Sequence, residues 1–252
     1  MGRAIWLLFL FADLVKAPAT LSPYSGSSNV FSKNGSVHWT ADWALEPIEV
    51  EGKKAVRVTE HGSGRISGFS QDVRWSIEAT WRAEGGFRPL DVEKTITAAD
   101  GKPLLVERKH FDPVKGVVRF ERQPTNGQPE TKILSVPADT LAVEGIAGVL
   151  RFLQPNEARP FSAHLLSNEP KLYSVTFELR GKERVKTPAG DFECYKLELV
   201  PHLGLLNTFR YFFPKTFFWY TVAPPHDWVR YEGLENGPGT PQIVMELSRR
   251  GR

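Results

Sequence analysis

The chain has 252 residues, 41% of them hydrophobic and 12% aromatic, and a formal charge of +3 from 32 basic and 29 acidic side chains. That content excludes wholesale disorder, and so small a positive excess is no nucleic-acid footprint. The one cysteine, Cys194, excludes an intrachain disulfide and offers no lipid-anchor thiol near residue 20.

The chain opens on a short basic stretch, Met1-Gly2-Arg3, and an apolar run, Ala4–Ala12. Asp13 ends the run, and Val15-Lys16-Ala17 has small residues at the positions a signal peptidase prefers. Residues 1–17 therefore read as a possible signal peptide, with the periplasm or cell envelope as destination. Read instead as a buried strand, the same run leaves the protein cytoplasmic. It falls well short of the ~20 residues needed to span a bilayer, and no transmembrane span is expected elsewhere. Residues 18–36, rich in Pro, Ser, Gly and Asn, read as a linker. Residues 37–249 then form a single domain.

Strand signals follow in a meander. Val37–Trp43 alternates with Val37, Trp39, Ala41 and Trp43 on one face, and Ala55–Thr59 follows a Glu51-Gly52-Lys53 turn. Trp75–Arg82 is the clearest case. Trp75, Ile77, Ala79 and Trp81 face one way, Ser76, Glu78, Thr80 and Arg82 the other. Pro89–Thr97 and Leu104–Phe111 flank the turn Ala99-Asp100-Gly101-Lys102; Gly116–Arg122 and Thr131–Val136 flank Thr125-Asn126-Gly127-Gln128. Such spacing with little helix points to an antiparallel all-β fold.

One stretch breaks the period. Leu141, Ile146, Val149, Leu150 and Leu153 recur at helical spacing, with Asp139 or Thr140 as a cap and Pro155 beyond the end. Gly145 and Gly148 weaken this helix by about 1 kcal/mol each relative to Ala. Tyr173–Leu179 resumes alternation with Tyr173, Val175, Phe177 and Leu179 inward. In Lys182–Leu199 a strand turns at Thr187-Pro188-Ala189-Gly190 and returns with Tyr195, Leu197 and Leu199 opposite Lys196 and Glu198. Thr208–Val222 carries eight aromatic residues and reads as a hairpin about Pro214-Lys215-Thr216. Either both its faces are covered, or one lines a groove for an apolar ligand or partner.

Three segments together resemble a bacterial family of envelope proteins of unknown function. They are Arg184–Lys196, the helix-like Leu141–Leu153, and Trp219–Leu247 with Pro224-Pro225-His226, Val229-Arg230-Tyr231-Glu232 and the closing strand Ile243–Leu247. The resemblance runs from about Trp39 to the end and is specific from Leu141 onward. It implies the fold of the lipoprotein-localisation carriers: a mainly β protein, one strongly curved antiparallel half-barrel sheet with one main helix packed on its concave face.

Signatures of chemistry are absent. The six histidines show no i,i+2 or i,i+4 pair, Gly64–Gly68 has its serine one place off the nucleophile-elbow pattern, and no phosphate-binding loop follows a strand. No catalytic residue, metal or cofactor is expected, and the protein reads as noncatalytic rather than as an enzyme. Cys194 reads as a small strand residue and His226 as part of a turn. The expected function is binding of an apolar ligand, a lipid or lipoprotein acyl chain, in the concave face. Trp75, Trp81, Leu150 and Phe177 are the candidate lining residues, and the glycine-weakened helix is a plug or lid. The alternative is a scaffold that holds another envelope protein through edge strands or surface aromatics.

Overall fold

A computed structural model describes residues 17–18, 20–32, 37–152, 160–202 and 214–251. These form one sheet of 15 strands. The first eight are β1 (Tyr24–Ser32), β2 (Val37–Val50), β3 (Lys53–Gly64), β4 (Val73–Arg82), β5 (Arg88–Ala98), β6 (Pro103–Asp112), β7 (Val117–Pro124) and β8 (Glu130–Ser135). Then come β9 (Thr140–Ala142), the helix α1 (Ile146–Leu150), β10 (Phe161–Leu166), β11 (Leu172–Thr187) and β12 (Gly190–Pro201). The last three are β13 (Thr216–Thr221), β14 (Trp228–Leu234) and β15 (Gln242–Arg250).

Neighbours along the chain are neighbours in the sheet at every step but one. The order runs β8 to β1, then β15 down to β9, so the first and last strands pair in the middle and the break falls between β8 and β9. All described pairings are antiparallel except β9 with β10. The sheet does not close. It folds over itself instead, so that β9 packs on β5 and the two arms share a core.

Turn chemistry explains the meander. Glu51 and Gly52 both take positive φ, 52° and 72°, which makes a two-residue hairpin matching strand twist between Val50 and Lys53. Pro47 is tolerated inside β2 because β1 pairs no further along it than Leu45. The alternation expected for Trp75–Arg82 is present, with Trp75, Ala79 and Trp81 buried and Arg74 and Glu78 exposed. Val175 and Phe177 point inward as expected, but Leu179 is 37% exposed. The register slips between Leu179 and Gly181, which turns Leu179 away from the core.

Three expectations need correction. The stretch read as a linker contains β1, which pairs with both β2 and β15. Gly26 explains its poor strand signal: a Cβ there would lie 2.5 Å from Cζ2 of Trp43, so the indole lies against bare backbone. The helix Leu141–Leu153 does not form as one element either. Leu141 belongs to β9, opposite Leu165, only Ile146–Leu150 is helical, and Leu153 lies outside the described residues. Gly145 starts α1 in the left-handed region at φ 75°, so the helical spacing upstream of it is coincidental. Lastly, Glu198, expected on the solvent side, is 3% exposed and bonded to Arg180 Nε at 2.5 Å.

Gly145 is held by sterics as well as by φ. An added Cβ would lie 3.0 Å from Nε1 of Trp81 and 3.1 Å from Cβ of Val58. Left-handed backbone costs an L-residue ~1–2 kcal/mol, so Gly145→Ala is expected to destabilise by roughly 1–3 kcal/mol despite its gain in helix propensity. A urea midpoint at or above wild type would contradict this.

The aromatic stretch is covered on both faces along β13, Thr216–Thr221; Pro214 and Lys215 of the expected turn lead into β13, and the strand expected before them lies outside the described residues. Phe218 and Tyr220 enter the main core. Trp219 faces the other way, donating Nε1–H to Glu183 at 2.6 Å beneath Lys196 and Arg230. Cation stems cover that face.

Candidate functional site

After β9, residues 143–152 leave the sheet and enter its folded interior. Ile146, Val149 and Leu150 of α1 are buried in the main core, and the Tyr220 hydroxyl donates to the Ala147 carbonyl at 2.8 Å. Both ends of this insert are tied by buried ions.

At the first end, Lys109 of β6 places Nζ 2.6 Å from Oε1 of Glu144 and 2.9 Å from the Ser167 carbonyl. Lys109 is 2% exposed and Glu144 6%. Oε2 of Glu144 has no partner among the described residues. This pair clips β6 of one arm to the β10–β11 turn of the other.

At the second end, the Arg151 guanidinium lies 3.7 Å over the Tyr24 ring, with Phe152 at 5.5 Å. It donates to the Pro225 carbonyl from Nε and Nη2 and to Oδ1 of Asp227 at 3.3 Å. Arg250 reaches the other oxygen of Asp227 at 3.5 Å. The turn carrying Asp227 is fixed by its own contacts: Asp227 N–H donates to Thr221 Oγ1, and His226 Nδ1 lies 2.9 Å from the Thr221 carbonyl. Tyr24 then packs on Trp43, Trp43 on the edge of Trp228, and the Tyr24 hydroxyl donates to the Trp228 carbonyl. Burial lowers the guanidinium's pKa, while burial and then Asp227 raise that of the Tyr24 phenol.

Of the four candidate lining residues, the structure brings three together. Trp81, Leu150 and Phe177 belong to one core cluster with α1 and are 0%, 1% and 2% exposed. Trp75 lies in a second cluster with Trp39, whose ring meets it edge-on at 5.0 Å. Trp81, Leu150 and Phe177 thus pack among the protein's own side chains, while Trp75 also borders a surface groove. Sequence reasoning missed Arg151, Asp227, Lys109 and Glu144. One signal for Lys109 was present: Leu105, Glu107, Lys109 and Phe111 share the buried register of β6, two charges in an apolar row.

Trp75 donates Nε1–H to Glu60 at 2.8 Å, and desolvation raises the Glu60 pKa against that bond and the charge of Lys94. A carboxyl with a raised folded-state pKa holds its proton longer folded than unfolded. Its contribution to stability thus falls as pH rises from 4.5 through the folded-state value, then stays level. Glu60→Gln is expected to raise stability at pH 8 and to lose that advantage at pH 4. An equal effect at both pH values in paired denaturation curves would count against it.

The described surface adds two polar grooves. One, of about 610 Å³, lies on the outer face of β4–β7, where Glu78, Glu93, Arg108, Glu121 and Arg119 form a charged lattice. The other, about 390 Å³, runs beside Asp42, His61 and Trp75. Among the described residues no three His, Cys, Asp or Glu side chains are grouped to hold a metal, and no helix is long and apolar enough to cross a membrane. Burial, then Glu183, pushes the Cys194 thiol up to about 12, which leaves little nucleophilic thiolate at neutral pH.

Meander order, an open break and an interior insert define an all-β protein of one folded-over sheet. The chain belongs to the DUF3108 family, proteins of unknown function, whose model matches residues 22–247 and so includes β1. Two solved structures are similar. One is a candidate exported protein with a YmcC-like fold from Bacteroides fragilis, at 12% identity over 96% of this chain and 100% of that one, TM-score 0.38. The other is a candidate lipoprotein from Parabacteroides distasonis, at 10% identity with the same coverage, TM-score 0.37. Among curated proteins there is no match. Neither likeness is close enough to transfer a property, and none of these findings is to a lipoprotein-localisation carrier.

Proposed function

We propose that this is a noncatalytic protein of the cell envelope that takes an apolar chain, such as a lipid acyl chain, into the folded sheet when the insert moves aside. The observation behind this reading is the insert itself. It is a five-residue helix outside the sheet that fills the inner face with three apolar side chains and is tied by ions at both ends. Burying three such side chains is worth roughly 5–9 kcal/mol, and a methylene ~0.8 kcal/mol, so about six to eleven methylenes offset their loss. A chain of ~16 carbons has a surplus to set against the polar ties.

Competition fixes the sign of the test. Leu150→Ala weakens the insert's packing by ~2–5 kcal/mol, so the population with an open interior rises and an apolar fluorescent probe should bind at least about tenfold more tightly. A folded Leu150→Ala protein with lowered stability and unchanged probe affinity would make the insert ordinary core.

A second reading rests on the sheet's edges. β9 is wholly buried, whereas β8 is mostly exposed, with Ile133 71% exposed and Val114 of the β6–β7 turn 94% exposed. Such an edge suits addition of an extended segment from another envelope protein. Pull-down by the wild type but not by Ile133→Asp would favour this reading.

A further inference from the structure

We propose that β8 is the seat of a two-fold dimer, in which it pairs antiparallel with β8 of a second copy of this chain, Ile133 opposite Ile133. This narrows the edge reading above to one occupant and is independent of the apolar-chain reading.

The hydrogen bonds to β7 fix which groups of β8 are free. Val136 N–H donates to the Gly116 carbonyl at 2.9 Å, which extends the β7–β8 register beyond Val117 and Ser135. Along an antiparallel strand the backbone N–H and C=O groups point alternately to one side and the other. Glu130, Lys132 and Leu134 therefore direct theirs to β7. Thr131, Ile133 and Ser135 direct theirs outward, where no strand lies among the described residues, and all three side chains are exposed. Continuing the same alternation, the next outward positions are Pro129 and Pro137, each four residues from Ile133. Proline has no N–H, so the outward donors stop at both.

That pattern is its own complement. A two-fold axis at Ile133 sets Ile133 against Ile133, Thr131 against Ser135 and Pro129 against Pro137. Every outward donor then meets an acceptor, and each proline meets a proline. The next register on one side sets Ser135 against Pro129 and Lys132 directly against Lys132, a like-charge pair. On the other side Thr131 meets Pro137. A foreign strand has no reason to carry prolines at this spacing, whereas a second copy always does.

Charge and apolar exposure agree. Lys132 is paired with Glu130 and Arg119 with Glu121, so two such margins meet with their ions already balanced. Ile133 and Val114 are the most exposed large apolar side chains among the described residues, and both lie at this margin. Pairing covers Ile133 with its own copy. So short a strand buries less than the ~1,200 Å² of a standard interface. The dimer is accordingly weak and forms only as concentration rises.

Disulfide mapping on the full chain tests the register, because the native Cys194 is buried and does not compete. Under mild oxidation Ile133→Cys should give a covalent dimer, since facing residues of such a pair have Cα atoms about 5.5 Å apart, within disulfide reach. Thr131→Cys should not, because its two copies would lie four residues apart along the strands, ~13 Å. Thr131→Cys combined with Ser135→Cys should cross-link again. Sedimentation of the wild type should shift from monomer towards dimer through the high-micromolar range. Ile133→Pro removes only an outward N–H and should weaken that association at least about tenfold. Equal cross-linking at positions 131 and 133, or none at 133, overturns the pairing. So does a wild type that stays monomeric throughout. Capture of a different envelope protein at β8 by such a monomer would keep the edge reading and still overturn the dimer.

Discussion

Trp81→Ala is expected to lower the unfolding free energy by ~3–5 kcal/mol, the range for truncating a buried indole. Trp81 is 0% exposed and sits where both arms meet, with Val58 and Ala79 of its own arm and Gly145 of the insert around it. Its Nε1 has no partner among the described residues, so the loss is one of packing and not of a hydrogen bond. Arg82, the next residue, is the control: it is half-buried on the other face, and Arg82→Ala should stay within about 0.5 kcal/mol. For a domain of this size the Trp81 loss corresponds to a fall of roughly 6–20 °C in Tm. Coincident melting of Trp81→Ala and wild type would overturn the facing of β4.

The Lys109–Glu144 clip should show the opposite of additivity. Lys109→Met leaves a carboxylate buried with both oxygens unpaired, and Glu144→Leu leaves a buried ammonium on one carbonyl; each should cost ~3–5 kcal/mol. The double substitution removes both charges and leaves only the Ser167 carbonyl short of a donor, a loss of about 1–3 kcal/mol, partly offset by apolar packing. The double variant should therefore be more stable than either single variant in a urea double-mutant cycle. Additive losses would mean that Lys109 and Glu144 are solvated and hold nothing together.

Most of the sheet was legible because its strands are half-buried and antiparallel, which writes their period directly into residues such as Trp75, Ala79 and Trp81. β1 was not, because its sequence answers to a neighbour. Gly26 is small so that Trp43 can lie on it, and Ser28 is buried with its hydroxyl directed to the Ala41 carbonyl. The helix was half-legible: Ile146, Val149 and Leu150 keep helical spacing, but Leu141 obeys β10. The candidate site was least legible. Arg151 meets Asp227 across 76 positions, and no local pattern announces a pair that only the folded sheet brings together.

The pairing of β1 with β15 also decides when this molecule can finish folding. Every other antiparallel pairing joins strands adjacent along the chain, so each arm can assemble as it emerges, hairpin upon hairpin. The splice between the arms cannot form until the final strand arrives, and it brings Gly251 N–H to 2.9 Å from the Ser25 carbonyl. Until then β1 presents a bare edge in what will be the middle of the sheet, where a foreign strand could take the place of β15. Joining the two ends through a short loop and opening the chain between Ser135 and Thr140 would remove that delay. The rewired chain would follow the sheet from one edge to the other without a single return.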